Sequence, residues 1–175
     1  VLDASTWSIT DPVGDATISI LADQLSIAVP GGVSHDIWTD GDYVPRVVQS
    51  VPAANVRDYI VRYNTGVTGA VPTFTFEGML LQEAGSRSMR VDFVNSNSGT
   101  NIFCASFFGL DHPVTRFNVN IGSTGIAPLY MRVQQNGALW TVNYSFDGLS
   151  WTQAGTFWDF FYPTKIGITG GNSGT

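Results

Sequence analysis

Apolar residues recur at every second position along much of the chain, and Gly, Pro, Asn and Asp interrupt them at short intervals. A period of two puts alternate side chains on opposite faces of an extended backbone, so the pattern predicts strands rather than helices. Segments 17–22 and 25–29 alternate before the break at Pro30-Gly31-Gly32. Segment 46–50 is opened by Pro45 and closed by Pro52, and segment 57–63 sets Tyr59, Val61 and Tyr63 on one face. Segment 73–83 reads as one long strand carrying Phe74, Phe76, Leu80 and Leu81. Segment 88–95 turns Met89, Val91 and Phe93 inward and Arg90 and Asp92 to the opposite face. Segment 102–108 is apolar on both faces, which suits a central strand, and segments 129–135, 139–146 and 164–169 complete the set. Asn136-Gly137 and Asp147-Gly148 each fall between alternating runs, the preferred type I′ hairpin signal. About ten short strands are too many for one open sheet, so two packed antiparallel sheets are expected. The fold class is all-β, a two-sheet antiparallel sandwich, and residues 1–175 form a single domain.

Composition supports this and narrows the function. Glu occurs only at positions 77 and 83 and Lys only at 165, whereas there are 19 Gly, a poor basis for amphipathic helices. Charged residues make up 13% of a chain that is 43% hydrophobic, a balance that disfavours disorder and fits an exported β-rich domain, so an extracellular, secreted or cell-surface location is expected. The net charge of −6, with no run of Lys or Arg, disfavours nucleic acid and anionic membrane surfaces as partners. No apolar stretch approaches the ~18 residues that span a bilayer. The chain shows no signal peptide at Val1 and reads as a mature or excised segment. The lone Cys104 lies in the apolar run Ile102 to Phe108 and is expected to be a buried, inert thiol.

The stretch from Leu129 to Phe157 carries Arg132, Gly137, Trp140, Tyr144, Asp147, Gly148 and Trp151 in an R-V-x-x-x-G-x-x-W-T-x-x-Y-S-x-D-G-x-x-W pattern. It resembles the concanavalin A-like (LamG-type) jelly-roll domains, close to a group of unknown function in bacterial extracellular proteins. Ser34-His-Asp-Ile-Trp38, Pro45 to Gln49, Gly78 to Gln82, Met89 to Phe93 and Lys165 to Asn172 extend the likeness over most of the chain. Members of that family usually open with an Asp-Asp-Phe strand and finish with an Ala-x-Val-Asp-Tyr-Phe strand that pairs with it. This chain has neither, so the resemblance implies that the terminal strand pair is missing and that open edges are left for strand addition.

The resemblance also implies where a ligand would sit. One sheet of the family's sandwich presents a concave outer face, and Gln82, Arg90 and Asp92 would line it together with His35 and Arg46. The Gly-rich segment from Gly31 to Tyr43 gathers His35, Asp36, Trp38, Asp40, Asp42 and Tyr43. Aromatic rings offer flat apolar faces to sugar C–H groups, and carboxylates, guanidinium groups and amides fix hydroxyls. The alternative for the same residues is structural, with Trp38 plugging one end of the sandwich and His35-Asp36 forming a buried pair. Asp40 and Asp42 could supply oxygen ligands to a structural Ca²⁺, the one cofactor considered. Trp140 and Trp151 are expected to pack in the core or hairpin, whereas Trp7 and Trp158 have no context that decides between packing and binding.

Catalytic chemistry is harder to place. Glycan-cleaving enzymes of this fold use carboxylates in a short Glu-x-Asp-x-x-Glu strand pattern that the chain lacks. Glu77 and Glu83 within one strand would stand about 20 Å apart, against roughly 5–9.5 Å for glycoside hydrolysis. Asp92 opposite either of them keeps hydrolysis open as a minor alternative. No Gly-x-Ser-x-Gly elbow is present, and His35, His112 and Cys104 lack zinc-ligand spacing. The expected function is therefore a non-catalytic carbohydrate-binding accessory domain of an extracellular bacterial protein, with polysaccharide as partner. A structural or adhesive module that joins neighbouring domains or identical subunits through open sheet edges is the alternative.

Overall fold

The computed structural model describes residues 2–38, 41–64, 74–109, 112–122 and 128–174. Among them the chain forms thirteen strands and no helix. They are β1 (Trp7–Thr10), β2 (Thr17–Leu21), β3 (Gln24–Ala28), β4 (Arg46–Ser50), β5 (Val56–Tyr63), β6 (Phe76–Gln82), β7 (Arg87–Ser96), β8 (Gly99–Phe108), β9 (Pro113–Asn120), β10 (Leu129–Asn136), β11 (Leu139–Ser145), β12 (Thr152–Trp158) and β13 (Lys165–Gly171). A seven-stranded sheet runs β1-β4-β13-β6-β7-β8-β9, a four-stranded sheet runs β12-β11-β10-β5, and β2 and β3 form a separate hairpin. Every pairing between these strands is antiparallel. The all-β sandwich expected from alternation is the observed architecture.

The core lies between the two large sheets. Met79 and Leu81 of β6, Met89, Val91 and Phe93 of β7, and Ile102 and Cys104 of β8 face Met131 and Val133 of β10 and Trp140 and Val142 of β11. All of these are buried, and the Cys104 thiol, as expected, is an apolar packing element whose pKa burial pushes well up. Val91, Cys104 and Met79 are register partners across β6, β7 and β8, so one continuous apolar row crosses the sheet.

Three strands went unread in the pattern, for physical reasons. β1 is a four-residue edge. β9 contains a bulge, because Cys104 pairs Phe117 while Ala105 pairs Thr115, and the extra residue Arg116 breaks the alternation. β12 places Gly155 where an apolar side chain would be expected, since a Cβ there would come within 2.4 Å of the Phe117 ring. Of the expected 73–83 strand, Thr73 lies outside the described residues, and among the rest the ladder starts at Phe76, because Phe74 holds a positive φ of 64°. The β10–β11 turn is also shifted by one residue: Asn136 pairs Leu139, leaving Gly137-Ala138 as the two turn residues. Of those two only Gly137 has a positive φ, which matches a type II′ turn rather than type I′. The first and last strands do not pair with each other, since β4 lies between them.

The outer face of the seven-stranded sheet carries a second, smaller core. Ile37 and Val44, from the segment that precedes β4, pack on Phe76, Leu80, Ala105 and Phe107, with Trp38 and Phe103 at the margin. That segment is fastened to the residues just beyond β13 by a backbone bond from His35 to the Asn172 carbonyl (2.9 Å) and by a bridge between Ser34 and Ser173. Beneath it Gly78 lies opposite Asp92 in the β6–β7 register. A Cβ at Gly78 would stand 2.2 Å from Asp92 Oδ1 and 2.4 Å from the Val91 carbonyl oxygen. Gly78→Ala is therefore expected to lower stability by about 1–3 kcal/mol, read as a shift of the urea unfolding midpoint; an unchanged midpoint would contradict this packing.

Candidate functional site

The covering segment decides what each predicted residue can do. His35 is fully buried, with Nδ1 3.0 Å from the Val33 carbonyl oxygen and Nε2 2.6 Å from Asp15 Oδ1. It ties its segment to the turn before β2 rather than facing a ligand, and its partner is Asp15, not the neighbouring Asp36. Arg90 and Asp92 are buried as well, Asp92 completely. Arg90 hydrogen-bonds Asp36 through Nη1, holds Nε 2.5 Å from Asp92 Oδ2, and lies 4.3 Å over the Phe76 ring centre. These three predicted ligand contacts are corrected to structural roles. Alternation placed Arg90 and Asp92 on the outer face, but the segment that folds over that face removes them from solvent.

Two carboxylates around one desolvated guanidinium leave one negative charge in excess. Burial, with the Asp36 charge adding to it, pushes Asp92 up to about 7 against the pull of Arg90. Asp36 is the more accessible partner; its Oδ1 also accepts the Ile37 N–H (2.7 Å), and its carbonyl accepts the Tyr43 N–H (2.9 Å). Arg46 is paired with Asp42 at 2.6 Å and also donates to the Val44 carbonyl, closing the base of the same loop. Asp42 is one of the two suggested calcium ligands. The other, Asp40, lies outside the described residues, and among these residues no group of three or more His, Cys, Asp or Glu is placed to hold a metal ion. Gln82 sits at the far end of β6 beside Lys165 and Ser88, away from the loop.

Three predicted residues do come together. Asp36, Trp38 and Tyr43 line a pocket of about 140 Å³ with Ser34, Gly41 and Ser173. Trp38 is held by Phe103 and Phe107, whose ring centres are 5.9 and 6.0 Å from its own, the second edge-on. Tyr43 is 40% exposed, and its ring lies against Gly41, where a Cβ would come within 3.1–3.2 Å of it. The pocket thus joins two ring surfaces to two hydroxyls and one carboxylate that a buried arginine orients. Ser34 and Ser173 went unnoticed in the sequence, because 139 positions separate residues that one bridge unites. A larger groove of about 740 Å³ opens between the β2–β3 hairpin and β5, β6 and β13; none of the predicted ligand-binding residues lines it, though Glu77 does.

The carboxylates considered for hydrolysis are not assembled. Glu77 pairs with Phe93 and Gly78 with Asp92, so Glu77 and Asp92 emerge on opposite faces of the sheet. Glu83 lies beyond the end of β6, where it accepts the Tyr162 N–H (2.9 Å) and pairs with Arg87.

No protein-family model matches the chain, and no curated protein matches its sequence at a significant level. Solved structures do share the fold. The GH43 protein BlXynB from Bacillus licheniformis superposes with a TM-score of 0.72 at 14% identity, over 99% of this chain and 34% of its own. The chain therefore spans about a third of that protein's length. A functionally unknown protein from Saccharomyces cerevisiae gives 0.68 at 12% identity, covering 96% of this chain and 87% of that one. The CBM2 module of the evolved Dit of Lactobacillus casei BL23 phage J-1 gives 0.60 at 12% identity, covering 99% and 85%. At these identities the likeness establishes a shared jelly-roll-like β-sandwich.

The raised Asp92 has a consequence for stability. Between the ordinary carboxylate range near pH 4 and about 7, the folded chain holds a proton at Asp92 that the unfolded chain has lost. Its contribution is thus fully present at low pH and falls as pH rises through 7. In Asp92→Asn that fall is expected to be absent, so the urea midpoint of the native protein should drop relative to the variant between pH 5 and 8. Parallel midpoint curves would contradict the assignment.

Proposed function

We propose that the chain is a non-catalytic carbohydrate-binding module of concanavalin A-like type, taking a sugar unit in the pocket between Trp38 and Tyr43. The observation that carries this reading is the pairing of two ring faces with Ser34, Ser173 and Asp36 in one small opening. Apolar faces accept the C–H surface of a pyranose, while the hydroxyls and the carboxylate exchange hydrogen bonds with its OH groups. Asp36 is pre-oriented by Arg90, so little ordering remains to be done on binding. The pocket admits about one ring, which suits a chain end or a single exposed residue of a polysaccharide. Likeness to GH43 proteins and to a CBM2 module is consistent with a carbohydrate role. The separation of Glu77, Glu83 and Asp92 supports binding without hydrolysis. An extracellular setting and a place within a longer chain complete the proposal.

The alternative, a structural or adhesive module, draws support from the sheet edges. β1 and β9 bound the seven-stranded sheet, β12 and β5 bound the four-stranded one, and no described strand pairs with their outer sides. Isothermal titration with neutral oligosaccharides separates the readings. Tyr43→Ala, at an exposed position, is expected to weaken binding about ten-fold, a loss near 1.4 kcal/mol, without a change in thermal midpoint. Trp38→Ala should weaken it further. Absence of binding to every glycan tried, with concentration-dependent assembly, would replace this reading by the module; release of reducing sugar would replace it by an enzyme.

A further inference from the structure

Residues 157–162, the end of β12 and the segment beyond it, alternate as a strand does, but with aromatic groups on both sides. Phe157 joins the core with its ring centre 6.3 Å from that of Phe117, Asp159 is buried, and Phe161 is buried with its ring centre 5.8 Å from that of Trp140. The intervening residues face solvent: Trp158 is 70% exposed, Phe160 74% and Tyr162 38%. Phe108 lies beside them, 49% exposed, with the Arg87 guanidinium 4.6 Å over its ring. Large exposed aromatic groups gathered in one place mark an interaction site more often than scattered ones do.

The segment cannot retract these rings, because every second residue is clamped. The Asp159 carboxylate is held by Arg87, by Arg116 at 2.7 Å and by Ser106 at 2.8 Å. Its backbone N–H donates to the Ala138 carbonyl (2.8 Å), and its carbonyl accepts the Trp140 indole N–H (3.1 Å). Arg87 also donates to the Phe160 carbonyl, Gln135 donates to the Phe161 carbonyl, and Glu83 accepts the Tyr162 N–H. A tight turn from the Phe161 N–H to the Asp159 carbonyl (2.9 Å) lifts Phe160 off the surface. The bulge in β9 is what aims Arg116 at Asp159.

Charge then selects the ligand. Arg87 and Arg116 are balanced by Asp159 and Glu83, so the ridge is neutral within a chain of net charge −6. The rings project singly from alternate residues, with buried residues between them, rather than merging into the broad apolar core of a protein interface. We propose that Trp158, Phe160 and Tyr162 form a second, independent site that binds a neutral polysaccharide by stacking on successive sugar rings. This rests on the carbohydrate reading but not on the pocket, since none of the pocket's lining residues belongs to the ridge. Two sites on one module would raise retention on a long chain beyond what either gives with a short sugar.

Affinity electrophoresis through gels containing soluble xylan or laminarin tests this with the native protein, the Trp158→Ala/Phe160→Ala variant and Tyr43→Ala. All three substitutions are at exposed positions, and equal thermal midpoints establish that folding is unchanged. The ridge variant is expected to lose retardation about ten-fold in apparent affinity while keeping its titration with a short oligosaccharide. Loss in the ridge variant with full retention in Tyr43→Ala would support the ridge and remove the pocket. Equal retardation of the ridge variant and native protein would overturn the ridge and leave the pocket standing. If the native protein is not retarded and a concentration-dependent dimer disappears in the ridge variant, the ridge is a self-association surface and the proposal is overturned.

Discussion

Arg90 is the interaction on which the functional face depends. A guanidinium on the outer side of a central strand would ordinarily reach into water, but here it lies between Phe76 and two carboxylates under a covering segment. Burying a cation is costly unless it is paired and hydrogen-bonded. Asp92 supplies charge from the same strand, and Asp36 brings the covering segment to it. The requirement to satisfy one cation therefore fastens Asp36, and with it Ile37, Trp38 and Val44, onto the sheet. Once they are fastened, Ile37 and Val44 complete an apolar cluster and Trp38 is pressed against Phe103 and Phe107. The pocket at Trp38 and Tyr43 follows from that closure. The ionised form of Asp92 is only partly compensated, which leaves a carboxylate titrating near neutrality at the base of the assembly.

A second polar clamp works by the same logic at the end of the main core. Asp159 draws in Arg87, Arg116 and Ser106, and the bonds around it fix the direction of the chain through residue 162. In both places a buried carboxylate orders a segment whose solvent-facing side carries aromatic rings. The aromatic surfaces are displayed by ionic networks underneath them, together with the tight turn at Phe160. Conformational entropy that a ligand would otherwise have to remove has been lost already on folding.

Much of this was legible in the residues, and the limits are instructive. Met89, Val91 and Phe93 were assigned inward and Arg90 and Asp92 outward from alternation, and the register agrees. Trp140 and Cys104 were expected in the core and are there. His35, Asp36, Trp38, Asp40, Asp42 and Tyr43 were grouped because they are close in sequence, and Asp36, Trp38 and Tyr43 do line one pocket. What alternation cannot convey is whether an outward face stays outward. It specifies two sides of a strand, and the identity of the layer on each side depends on contacts between residues far apart in the chain. For that reason His35, Arg90 and Asp92 were read as ligand contacts when they are fasteners. Trp158 stayed undecided, and Phe160 and Tyr162 drew no reading, because Phe157, Phe161 and their outward neighbours are chemically alike.

By itself the sequence determined the class of the fold and the side of each regular strand, because a period of two is a local property of the backbone. Charge and composition, equally local, disfavoured nucleic-acid and membrane-surface partners. Only the tertiary structure decided which polar residues are buried, which carboxylates meet, and which aromatic rings remain in water. Those outcomes depend on desolvation, and desolvation is set by whatever other part of the chain closes over a group. The 139 positions between Ser34 and Ser173, which share one bridge beside the pocket, measure how far from local that decision is.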